Sequence, residues 1–347
     1  MFVGHALLAF ALVTALSTLG GVSRRRAVQY GALAGAFAAV PDVDIVYALV
    51  GVVRADTTAP VRLAETFWAT GNVVHRGVTH SLVVAPVAAL AAATWAAGTT
   101  SGDRRVRAAS RAAVALLALS TVAAVTTLSG GLAGVVTAAF LAAVLAVATA
   151  ARRHVNGAGR VFALALFGIA SHPFGDLFTG TPPAMLYPFD ATLVASRVTL
   201  SPDPTLHLLA AFAIELSTAW LAAGVVAYLW GVRPTVSRWP FSRAEGGAAV
   251  LPRATLAAGY AASVLVIPAP TLDLSYPFVF SVLAVGSLGV LPRVRLVRPL
   301  SGGAGRDPTV ALPDAATAAL TGLTAITVAA AAYALAYAWL SGAPLPV

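Results

Sequence analysis

Cysteine and lysine are both absent from this 347-residue chain. Without thiols there is neither a disulfide nor a thiolate metal site, so any metal has to be held by imidazole and carboxylate. Charge is also scarce: 10% of residues are charged and 59% are hydrophobic, with a mean hydropathy of +0.85. That balance excludes a soluble globule. Apolar runs divided by short Arg-bearing loops are the pattern of a polytopic membrane protein, and no stretch is left over for a separate soluble domain. All 22 basic residues are arginine and the net charge is +9. They are spread over separate loops rather than gathered in a patch, which points to membrane orientation and away from nucleic acid.

A span needs about 20 apolar residues to cross roughly 30 Å of hydrocarbon, so the length predicts an all-α bundle of about ten transmembrane helices. The first, about 2 to 22, has no basic residue before it and Arg24, Arg25 and Arg26 directly after it. This reverses the charge order of a signal peptide and reads as an uncleaved helix with its N-terminus outside. A second stretch, 27 to 53, is interrupted by Pro41-Asp42-Val43-Asp44. Further spans are expected at about 82 to 98, 111 to 128, 131 to 151, from 161, 206 to 231, 254 to 270, 275 to 291 and 315 to 341. Alternating sides along these ten spans places every arginine except Arg54, Arg62, Arg76 and Arg197 on one face, in the loops 23 to 26, 101 to 111, 152 to 160, 232 to 253 and 292 to 314. The positive-inside rule makes that face cytoplasmic and both termini extracytoplasmic, in the plasma membrane.

Against this apolar background three polar motifs stand out: Pro41-Asp42-Val43-Asp44, His75-Arg76-Gly77-Val78-Thr79-His80-Ser81, and Ser171-His172 with Asp176 and Thr179. Charged groups inside a span are costly and call for a function. His172 and Asp176 stand i, i+4 and share a helix face, while Asp42 and Asp44, at i, i+2 after a proline, share a face if that segment is extended. With His5 near the outer start of the first span, all these residues converge at or just below the outer interface. Imidazole plus carboxylate is the ligand set of Zn, Mn or Fe. Four histidines and three aspartates exceed the needs of one tetrahedral ion, so His5, Asp42, Asp44, His75, His80, His172 and Asp176 are expected to hold two metals. Arg76 can hold an anionic oxygen through its fork, and Arg76 and Asp44 are the expected catalytic groups. Thr79 and Ser81 read as caps of the helix starting near 82. His154 reads as a solvated loop residue; His207 and Glu215 read as structural or supporting.

At these residues the chain resembles the YdjM-like family of membrane-bound, predicted metal-dependent hydrolases, LexA-regulated in some bacteria. The likeness runs from Gly4-His5 through Val40-Pro41-Asp42-Val43-Asp44 and the His75 to Leu82 segment to Ser171-His172, Asp176, Thr179 and Pro188, roughly the first 190 residues. Where the family often has a polar residue after the second Asp, this chain has Ile45. The resemblance implies a hydrolase on a membrane scaffold and names no substrate. It suggests residues 1–230 as the metal-site domain and 231–347 as additional transmembrane helices without a recognised motif.

These observations together lead us to expect a membrane-bound metal-dependent hydrolase, zinc being one candidate ion. It would act on a phosphoester of a lipid or lipid-linked amphiphile presented at the outer interface. The alternative is a transporter or channel using the buried Asp and His as a cation or proton path, for which polar residues should continue toward the cytoplasmic face. A catalytically dead scaffold would carry the fold without metal.

Overall fold

A computed structural model describes residues 2–232, 235–236, 249–295 and 309–344. They form two compact units, Met1–Thr199 and Leu200–Val347. In the first, α1 (Phe2–Leu19) and α2 (Arg24–Ala39) form an antiparallel hairpin that runs into a 3₁₀ segment, Pro41–Tyr47. Next come α3 (Ala48–Arg54), α4 (Pro60–Gly71) and a 3₁₀ turn, Val78–His80. The unit is completed by α5 (Val84–Thr100), α6 (Arg104–Ser129), α7 (Gly131–Ala151) and α8 (Ala158–Gly175), which ends in a 3₁₀ turn, Asp176–Phe178.

The second unit holds α9 (Pro204–Trp230), a 3₁₀ helix Pro252–Leu265, α10 (Tyr276–Val285) and α11 (Ala315–Ser341). Strand pairs Thr235–Val236 with Ala249–Val250 and Arg293–Arg295 with Thr309–Ala311 close its loops. Much of the Arg-rich loops 232 to 253 and 292 to 314 lies outside the described residues. The division between the units falls ahead of α9 rather than at 230. Leu206, Leu209 and Phe212 of α9 share one core with Phe278, Ala325, Ala329 and Tyr333, so this helix is packed into the later unit.

The long helices are started by the chain's few carboxylates. Asp103 accepts from the Arg105 backbone N at 2.8 Å, Asp203 from Leu206 N at 2.8 Å and Asp314 from Thr317 N at 2.9 Å, satisfying amides that have no partner within the helix. Five helices are long and apolar enough to cross a membrane: Arg104–Ser129, Gly131–Ala151, Ala158–Phe178, Pro204–Trp230 and Ala315–Ser341. A sixth is the pair Arg24–Ala39 and Pro41–Arg54, bent by 41° at Pro41, where the missing N–H and the change to 3₁₀ winding break the helix. Val3–Leu19, Val84–Thr100 and Tyr276–Gly289 are apolar but shorter. Exposed leucines such as Leu116, Leu119 and Leu128 on α6 face outward, as the lipid side of a bundle requires.

In the first unit the core runs through Phe37, Phe140, Val144 and Ile169 with many alanines. Small residues let the backbones approach closely. Gly168 of α8 sits so tightly on α2 that an added Cβ would lie 2.5 Å from Ala34 O and 2.7 Å from Phe37 Cβ. Trp95 Nε1 donates to Thr149 Oγ1 at 2.8 Å and joins α5 to α7. This packing brings together the start of α1, the ends of α2 and α8 and the turn before α5, and the three polar motifs lie at those ends.

Candidate metal centre

The proline that ends α2 also decides where the two carboxylates after it point. The segment is 3₁₀ rather than extended, and at three residues per turn positions i and i+2 diverge by about 120°. The expectation of one shared face is therefore corrected. Asp42 reaches His172, with Oδ1 at 3.3 Å from Nε2, whereas Asp44 reaches His75, with Oδ1 at 2.9 Å from Nδ1. The polar connection 54 to 78 contains α4, and the turn after it brings His75 to Asp44. Arg76 then takes a left-handed φ of 68°, and the 3₁₀ turn delivers Thr79 and His80.

Hydrogen bonds fix the tautomers of the two innermost imidazoles. His172 Nδ1 lies 2.7 Å from Ala38 O, and a carbonyl can only accept, so the proton is on Nδ1 and Nε2 keeps its lone pair. Thr79 donates its hydroxyl hydrogen to Asp44 Oδ2 at 2.7 Å. Its oxygen is thereby left to accept from His80 Nδ1 at 2.8 Å, which frees His80 Nε2 as well. The two bare nitrogens face each other at 3.0 Å. Asp176 Oδ2, buried and without a hydrogen-bond partner, stands 3.1 Å from His80 Nε2 and 3.8 Å from His172 Nε2. Asp42 Oδ1 completes the group at 4.0 Å from His80 Nε2.

Four acceptor atoms with no hydrogen among them repel one another unless a cation lies between them. A tetrahedral zinc with bonds of about 2.0–2.1 Å sets neighbouring ligand atoms about 3.3 Å apart, which these separations bracket. The residues therefore fit a metal. Burial also pushes the His80 imidazole below its ordinary pKa, toward the neutral form that ligates.

The other expected ligands extend this group on both sides. His5 Nε2 is 3.3 Å from Asp176 Oδ1, and the His5 ring lies 4.0 Å from that of His172. Three sets have ligand atoms all within 4.8 Å of one another: His5, His172 and Asp176; Asp42, His80 and His172; and Asp44, His75 and His80. All seven sequence-predicted ligands thus lie in one continuous cluster. Both Asp44 oxygens are already engaged, by His75 and Thr79, so this carboxylate orients its neighbours, as carboxylates behind metal-bound histidines do.

Arg76 is turned inward. Its Nη1 donates to the carbonyls of Thr179 and Thr181, the latter at 2.8 Å, its Nη2 donates to Thr179 Oγ1 at 2.7 Å, and its Nε is 3.6 Å from Asp176 Oδ2. The fork clamps the loop after α8 beside Asp176. Gly180 has a φ of +60°, and a Cβ there would meet Arg76 Nη1 at 2.5 Å, so the clamp requires glycine.

Of the two residues expected to cap α5, Ser81 does so, accepting from Val83 N at 3.0 Å and Val84 N at 3.2 Å. Thr79 instead belongs to the centre, a role that spacing alone does not reveal. His154 is exposed after α7. His207 accepts from Leu200 N at 3.1 Å in the second unit.

The family model described as YdjM inner membrane protein matches residues 1–240, more than two thirds of the chain and all three polar motifs. The chain belongs to the YdjM inner membrane protein family. The match to the YdjM model runs past the roughly 190 residues that carry the motifs and takes in α9. Searches of curated proteins and of solved structures returned no match. As a YdjM protein the chain is an inner-membrane protein, and its buried His/Asp cluster is one that can hold metal.

Proposed function

We propose that this YdjM protein is a metal-dependent hydrolase that cleaves a phosphoester of a lipid or lipid-linked amphiphile. The observation that carries this reading is the set of four hydrogen-free acceptors, His80 Nε2, His172 Nε2, Asp176 Oδ2 and Asp42 Oδ1, aimed at one point in an apolar bundle. The cluster is long enough for two divalent ions of Zn, Mn or Fe, with His5 and Asp176 at one end and Asp44 and His75 at the other. Bound ions of this kind acidify water and polarise the phosphoryl oxygen. The chain's own part is to present His80 and His172 in the ligating tautomer, to hold His75 through Asp44, and to keep Asp176 in place through the Arg76 clamp. One Nη2 hydrogen of Arg76 is left for an oxygen of an anionic substrate. Hydrolysis adds water across the P–O bond: the water oxygen goes to phosphorus and a proton to the departing alcohol.

The test is turnover of a generic phosphoester by detergent-purified protein, read beside metal content. Wild type is expected to lose activity to a chelator and regain it with added divalent ion. Arg76→Ala should keep the metal and lose about tenfold or more in turnover, because a guanidinium is no ligand. Arg76→Lys should recover only part, supplying charge without the fork. Chelator-insensitive turnover would overturn the reading and favour the cation-path alternative.

The same proposal includes ten spans, with both termini and the centre extracytoplasmic. Five long helices, one bent pair, three shorter apolar helices and the 3₁₀ helix Pro252–Leu265 coincide with the ten apolar stretches. Because the chain has no cysteine, single substitutions report topology directly. Thr58→Cys should react with an impermeant maleimide in intact cells, and Ser101→Cys only after permeabilisation. The reverse pattern would place the centre on the cytoplasmic side.

A further inference from the structure

The centre is nearly sealed. The side chains of His80, His172 and Asp44 have no exposed surface and that of Asp176 has 2%, whereas Asp42 retains 12%, the most of any expected ligand. The surface on which Asp42 emerges is a groove of about 310 Å³ lined by Ala36, Ala39, Val40, Asp42, Val43 and Ala143. Asp42 is its one polar side chain, and the small alanines are what leave the space. Ala36 and Ala39 are exposed on α2. Ala143 lies near the middle of α7, a helix apolar enough to span, so the groove opens to the side at hydrocarbon depth rather than toward water.

We propose that this groove is the lateral entry and chain-binding subsite for an acyl chain of the substrate, with the headgroup held at the Asp42 end against the metal centre. The inference rests on the hydrolase reading for the identity of that substrate and specifies its class: a phosphate-bearing lipid that enters from the bilayer, not a soluble phosphoester. No water-soluble ligand gains from a slot walled by alanine and valine, whereas a hydrocarbon chain fills it and loses nothing on leaving the lipid phase. The slot's continuity with Asp42 lets one molecule occupy both.

Phosphatidic acid with a diazirine in its acyl chain, photolysed with the full-length protein in nanodiscs and mapped by mass spectrometry, tests this without requiring turnover. Adducts on residues 36 to 43 and around Ala143 should exceed those at the lipid-facing control positions Leu116 and Leu119 by about fivefold. A diacylglycerol probe, which lacks the phosphate, should give no such excess. Ala143→Trp, which fills the groove and touches no ligand, should remove the excess while metal content stays at the wild-type value. In the same samples it should cut phosphate release from phosphatidic acid at least tenfold and leave a soluble aryl phosphoester unaffected. Equal labelling at groove and control positions, or labelling that survives Ala143→Trp, would overturn the groove assignment. An excess of labelling with no hydrolysis of either substrate would uphold the subsite and remove the hydrolase reading.

Discussion

His172→Ala is expected to cost the protein its metal and its turnover together, with activity falling on the order of 100-fold or more. The reason is geometric: His172 belongs to two of the three possible ligand sets, and its Nε2 stands within 4 Å of His80 Nε2, Asp42 Oδ1 and Asp176 Oδ2. No neighbour can replace it, because the ring is anchored through Nδ1 to the Ala38 carbonyl and lies at zero exposure. Thr79→Val separates ligand loss from loss of the supporting hydrogen bonds. It keeps the shape of the side chain but removes the hydroxyl that joins Asp44 to His80 Nδ1, so metal affinity should fall by about 10- to 100-fold, and Thr79→Ser should restore it. Metal titrations of the three purified variants check this. Wild-type affinity in Thr79→Val would show that His80 does not depend on that hydroxyl.

Gly168→Leu is expected to be as damaging, although position 168 carries no chemistry. A Cβ there would lie 2.5 Å from Ala34 O, 2.7 Å from Phe37 Cβ and 2.9 Å from Ala38 N, and backbone atoms cannot rotate away as a flexible side chain can. Overpacking of this kind costs about 3 kcal/mol, the upper end of its range. The displaced segment of α2 carries both the Ala38 carbonyl that holds His172 and the turn into Asp42, so metal should be lost along with stability. Gly159 belongs to the same helix and has open space around it, so Gly159→Leu should unfold at the wild-type temperature. Thermal unfolding of both variants in one detergent makes the comparison, and equal midpoints would mean that α2 and α8 do not approach as described.

The centre was legible in the sequence because its residues are so foreign to their surroundings. Imidazoles and carboxylates in alanine- and valine-rich spans have few structural uses, and all seven expected ligands do meet in one cluster. What could not be read was direction. Whether Asp42 and Asp44 point together depends on one local choice of winding, and the 3₁₀ turn at Pro41 separates them. Thr79 looked like a cap because the residue two positions on is one; only the meeting of Asp44 and His80 around it, 35 positions from Asp44, shows its use. Arg76 was expected to meet an anion, and the 103 positions separating it from Thr179 hid the loop it clamps. The apolar stretches foretold the helices well, yet length and composition alone qualify five, or six with the bent pair, as spans. α1 and α5 fall short because their ends are taken up by the turns that carry His5 and His80.

Elemental analysis of the purified wild-type protein, with His80→Ala prepared alongside, tests the metal centre most directly. Four hydrogen-free acceptors converging on one point predict a stoichiometric first-row divalent ion in wild type and a large loss of it in the variant. Wild-type protein carrying no more metal than His80→Ala would contradict the centre, and with it the hydrolase built upon it.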